Sequence, residues 1–260
     1  VSVQLEPPRR LKAEVWLVLG VSLIPSAVYA VLSLIQRYLS TTSIGKQTAT
    51  LNPSKSGVPI MDLTYQLAGQ LFRVVPVALA LYLLSAHGAS AARRLGLVWP
   101  RRARDGLLDL GRGAALAAAI GIPGLGLYVF GRAIGQTVRI DTSGLPEQWW
   151  KALVLVLAAV AAALLEEVIA VGFLITRLRD LAWNPASAVV ASALLRGSYH
   201  LYQGWPMAVG NAVMGLVFAA YFARKGRLGP LLAAHALLDI VSFLGPELAP
   251  DSWLAALRLA

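Results

Sequence analysis

Six residues have the types and the spacing to do chemistry together. Glu166 and Glu167 stand side by side in LLEEVIAVGF, Arg196 and His200 are four apart in RGSYH, and His235 and Asp239 are four apart in HALLD. Residues four apart share one face of a helix, while neighbours point about 100° apart. Arg196 with His200, and His235 with Asp239, can therefore each present two groups to one place. Of the adjacent glutamates, one can face a cavity while the other faces a neighbouring helix. A carboxylate can take a proton from water and an imidazole can relay one. Two histidines with one or two carboxylates can also hold zinc and leave a position open.

The setting makes these groups expensive. Glu166 and Glu167 follow an Ala, Val and Leu run that begins at Lys151 and holds no other charge. A charged side chain at the centre of a membrane helix costs about 2.5–3.5 kcal/mol on insertion scales. Left unpaired, Glu166, Glu167, Arg196 and Asp239 would together cost on the order of 10 kcal/mol, comparable to the stability of a domain. They must face a bundle interior or a wet cavity, and one another.

The elements that position them read as membrane helices. The chain is 57% hydrophobic and 14% charged, with a mean hydropathy of +0.66, where a soluble domain has about a quarter of its residues charged. A span needs about 20 apolar residues. Seven segments qualify, at roughly 13–36, 66–86, 107–134, 150–176, 185–203, 206–223 and 229–246. The expected fold is an all-α polytopic bundle. It divides into N-terminal spans and loops (1–149), a core carrying the polar groups (150–246) and a short tail (247–260). GIPGLG, from Gly121 to Gly126, is expected to kink the third span or split it. The segment 37–65 reads as a polar loop. Counted from the basic end of each span, Glu166 and His200 differ in depth by about 8 Å. Either the fourth span overruns the bilayer or the fifth begins late.

Charge sets orientation. Arg9, Arg10 and Lys12, the five arginines from Arg93 to Arg104, Arg177 and Arg179, and Arg224, Lys225 and Arg227 all fall on one side of seven spans. That side is cytoplasmic and holds the N-terminus. The net charge of +10 is thereby explained by topology, so no nucleic-acid partner is expected. No cleavable signal peptide is evident. With no cysteine, disulfides and thiolate sites are excluded. Arg73 reads as a snorkelling or packing residue, His87 as interfacial, and Tyr199 and Tyr202 as packing aromatics or interface anchors.

EEVIAV (166–171), RGSYH (196–200) and HALLD (235–239), on successive apolar segments, resemble the EExxxR, FxxxH and HxxxN/D motifs of the CPBP family. That family comprises CAAX prenyl endopeptidases of the type II class and bacteriocin-processing or immunity (Abi) proteins. The run from Gly210 to His235 is similar to the family's approach to its last motif, and the resemblance spans roughly 150–245. It implies an intramembrane endopeptidase in which Glu166 activates water, His200 assists, and His235 and Asp239 complete the site, with Glu167 and Arg196 supporting. It also implies a peptide or membrane-anchored protein substrate in the lipid bilayer of, for this chain, a bacterial cell membrane. The family's mechanism leaves zinc, held through His200, His235, Asp239 and Glu166, and a metal-free route both open.

The chain departs from the pattern at three places. Val171 replaces the motif arginine, Arg196 replaces the phenylalanine, and Asp239 stands where many members have asparagine. An ionised Asp239 cannot donate a hydrogen bond to an oxyanion. It must be protonated, bind metal or orient His235. The missing arginine favours a rival reading, a non-proteolytic immunity or scaffold member. A proton- or cation-coupled transporter is the other rival, but the chain shows no convincing inverted repeat.

Overall fold

In hydrocarbon every backbone N–H and C=O has to be satisfied within its own segment, which leaves the long apolar runs no choice but helix. The computed structural model describes residues 7–85, 90–97, 103–141, 144–145, 147–250 and 252. His87 lies outside them, as do Arg101 and Arg102 of the basic loop. The helices in order are α1 (Pro8–Gly20), α2 (Leu23–Leu39), α3 (Pro59–Leu84), α4 (Ala91–Arg94) and α5 (Ala103–Ala133). There follow α6 (Lys151–Glu166), a π-helical segment (Glu167–Phe173), α7 (Leu174–Asp180), α8 (Pro185–Ser198), α9 (Trp205–Lys225) and α10 (Gly229–Leu248). The all-α class holds. Within the expected loop 37–65, β1 (Thr48–Thr50) pairs in parallel with β2 (Arg139–Asp141), a three-residue ribbon that ties two connections together.

Among the described residues five helices are long and apolar enough to cross a membrane, six if α1 and α2, bent by 50°, form one span. Seven were expected. The difference lies at 185–203, where α8 has 14 residues. That is about 21 Å at 1.5 Å per residue, short of the roughly 30 Å hydrocarbon core. The chain then turns through a 3₁₀ segment, Leu201–Gln203, and returns as α9. Conversely, Lys151–Asp180 forms a 30-residue run, about 45 Å long. An overlong fourth span and a short fifth element together remove the depth conflict between Glu166 and His200. The third span does not split at GIPGLG: α5 runs on with Pro123 inside it.

The π-helical segment is the centre of the core. Val168, Ile169, Ala170, Val171 and Phe173 are essentially without exposed surface and pack with Leu95, Phe218, Leu228 and Leu231. Two side chains bond carbonyls of this segment: Ser192 donates to Ala170 (2.6 Å) and Thr176 to Gly172 (2.6 Å). α8 and α9 form a close hairpin. A Cβ on Gly215 would stand 2.9 Å from Ala193 Cα and 3.2 Å from Arg196 Cδ. The absence of that atom lets Arg196 lie between the helices. At the α7 end, buried Arg177 meets Glu14 Oε2 (2.7 Å), Asp180 Oδ2 (3.1 Å) and the Leu83 carbonyl (2.8 Å), and Arg94 grips both oxygens of Asp180. Part of the basic charge read as a topology signal thus also fastens α1, α3, α4 and α7.

Candidate active site

The α-helix gives way to π geometry between the two glutamates, a distortion frequent at functional sites. Glu167 begins the π segment and has no exposed surface. Its Oε1 accepts from the Arg196 guanidinium on α8 and from His235 Nδ1–H on α10 (2.6 Å), while its Oε2 has no hydrogen-bond partner. Arg196 is 1% exposed, and its guanidinium lies 5.5 Å from the Phe218 ring centre. The buried Glu167–Arg196 pair expected from the departures at Val171 and Arg196 is formed. It crosses from one helix to another because position 171 holds valine, which the core encloses completely.

Glu166, at the end of α6, points into a different environment. Its Oε2 accepts from the Tyr199 hydroxyl (2.8 Å) and lies 3.9 Å from both Arg196 Nη1 and His235 Nε2. Its side chain keeps 16% exposure, against none for Glu167. His235 is oriented by its bond to Glu167. With Nδ1 donating there, Nε2 is turned toward Glu166 and toward Asp239 Oδ2, 3.6 Å away. Asp239, one helical turn along α10, is 24% exposed. His200 Nδ1 is 3.0 Å from the Arg196 carbonyl. A carbonyl only accepts, so Nδ1 carries the hydrogen and Nε2 is left free. The His200 ring tilts against Tyr199, with centroids 4.8 Å apart, and interacts electrostatically with Glu166 and His235.

Glu166, Glu167, Arg196, His235 and Asp239 thus form one contact network, and His200 joins it through the Arg196 carbonyl and Tyr199. Tyr199 packs in the core, as expected of a packing aromatic, and its hydroxyl also reaches Glu166, a contact that sequence reading missed. Its adjacency to His200 was visible, but helical periodicity says nothing about the turn that brings its hydroxyl to Glu166. Arg73 is exposed on α3, and Asp239 feels its charge.

Among the described residues no three His, Asp or Glu side chains are grouped to hold an ion. The orientation of His235 would suit a ligand, but the Arg196 cation already occupies the vicinity of Glu166. As arranged, the residues do not fit a metal centre.

Fold and site together define a polytopic helical membrane protein with a buried carboxylate–histidine–arginine network between α6, α8 and α10. Residues 148–241 match the family model described as Type II CAAX prenyl endopeptidase Rce1-like, so that segment is similar to that family. All six site residues lie inside the matched segment. No curated protein matches the chain, and no solved structure matches it.

Proposed function

We propose that the protein is an intramembrane endopeptidase in which Glu166 activates water for attack on a peptide bond of a membrane-associated or C-terminally modified protein or peptide. The observation that carries this reading is the division of labour between the two glutamates. Glu167 is sealed and committed to Arg196 and His235, whereas Glu166 is partly open and faces the free nitrogen of His235. One water with ordinary hydrogen bonds can bridge groups 3.9 Å apart. Glu166 takes its proton as the water oxygen bonds to the carbonyl carbon. The C–N bond then breaks as that proton passes to the leaving amine. His235 Nε2 accepts the water's other hydrogen and His200 stands beside the pair, while the charge of buried Arg196 acts on the developing oxyanion through the low-dielectric interior. Asp239 and Glu167 orient His235.

This route is metal-free and is built from the residues as they stand. The strongest reason for a non-proteolytic immunity or scaffold role was the lost motif arginine, and Arg196 makes the contact that arginine would make. A transporter reading keeps only the presence of membrane carboxylates. The basic clusters support a cytoplasmic N-terminus, and a bacterial cell membrane remains the proposed location. The test is purified protein in lipid vesicles, incubated with a peptide library and read by mass spectrometry. Specific cleavage products are expected; intact peptides across the library would overturn the reading.

A further inference from the structure

Tyr199 connects Glu166 to a second space. Besides donating to Glu166, it lines an open cleft of about 290 Å³ with Ser26, Tyr29, Ala30, Ser33 and Tyr202. Ser26, Ala30 and Ser33 follow i, i+4, i+7 spacing on one face of α2, and their small side chains leave the space unfilled. The facing wall is the turn between α8 and α9. No charged side chain lines the cleft. Its polar atoms are hydroxyls, one of which, on Tyr202, already accepts from Gln203 Nε2 (2.8 Å). The volume sits at the low end for ligand sites. It suits one large side chain rather than a whole ligand.

We propose that this cleft is a substrate subsite for one bulky, uncharged side chain, and that Tyr199 is the positioning residue that couples it to Glu166. The inference rests on the protease reading given above. The phenol that separates the cleft from the carboxylate spans about two residues of extended chain, at 3.3–3.6 Å each. The side chain held in the cleft therefore belongs to a residue within about two of the scissile bond. A lysine side chain is rejected, because no acidic side chain lines the cleft and the charge of Arg37 acts on Tyr202 at its wall.

The experiment uses a peptide panel that differs at one position (Gly, Leu, Phe or Lys). Cleavage is measured with the wild type, and binding with Glu166→Gln protein in vesicles. Ser26→Phe, which fills the cleft from α2 without touching Glu166, is made in both backgrounds. Wild-type preference for Phe and Leu over Gly and Lys is expected, and Ser26→Phe should lower the Phe-to-Gly ratio by about 10-fold or more. A ratio unchanged by the substitution, in binding or in cleavage, overturns the subsite. If nothing is cleaved but binding still discriminates by size, the protease reading fails and the subsite stands. If binding shows no size discrimination, the subsite fails whatever is cleaved. Tyr199→Phe keeps the wall and removes the hydroxyl. It should lower kcat about 10-fold, shift the pH–rate profile and leave KM within about twofold. An unchanged kcat and profile would remove the positioning role.

Discussion

Arg196→Phe installs the residue the family motif more often has and deletes, among the described residues, the only guanidinium that touches Glu167. Glu167 would be left with no exposed surface, an unpartnered Oε2 and a single remaining contact at Oε1, the Nδ1–H of His235. Breaking a buried pair by removing one partner costs about 3–5 kcal/mol, because the other charge stays behind. At about 2–4 °C per kcal/mol, the melting temperature should fall by about 6–20 °C. Proton uptake by His235 would bring the loss toward the lower figure. Arg196→Phe with Glu167→Gln removes both charges and should recover most of the loss, as buried pairs generally do when replaced whole. Thermal unfolding of the wild type, both single variants and the double variant in one detergent gives the coupling. A shift below about 2 °C for Arg196→Phe, or a double variant no more stable than the single, would refute the reasoning. Direct capture of a substrate carboxylate by Arg196 would instead raise KM with stability unchanged, an outcome its 1% exposure argues against.

Three further outcomes follow from the geometry. Activity should be insensitive to a strong chelator; loss of activity that zinc restores would contradict the metal-free route. Gly215→Ala forces a Cβ to within 3.2 Å of Arg196 Cδ and 2.9 Å of Ala193 Cα, so it should lower stability by about 1–3 kcal/mol through overpacking. It should also lower kcat; thermal unfolding and turnover are measured together, and wild-type values for both would show that the hairpin does not hold Arg196 in place. Arg177→Met, at the α7 end away from the two glutamates, takes the Oε2 partner from buried Glu14 and leaves it Arg10 at Oε1; it should lower the melting temperature while the kcat/KM of the surviving folded protein stays within about threefold.

Much of the site was legible because charge in hydrocarbon has so few resolutions. The four-residue spacings of Arg196 with His200 and His235 with Asp239 placed each pair on one face, and the missing cation at Val171 pointed to Arg196 as its replacement. The rest depended on features without a period. Hydropathy counted 185–203 as a full span because apolar residues continue through Tyr199 and Leu201, although the helix ends at Ser198 and the chain turns. The π segment carries no composition that separates it from α-helix, so the way it divides Glu166 from Glu167 could not be read. The second role of Tyr199 was hidden for the same reason: its hydroxyl reaches Glu166 through the geometry of that turn. Pro123 argued for a kink or a split, and the helix runs through it undivided.

The central claim is that Glu166 is the base, and Glu166→Gln tests it most directly. Glutamine keeps the length of the side chain and an oxygen that can accept from Tyr199, but it cannot take a proton from water. Turnover of a cleavable peptide should fall by at least about 100-fold, with KM and melting temperature close to wild type. A Glu166→Gln protein that cleaves the same peptide at the wild-type rate would contradict the account.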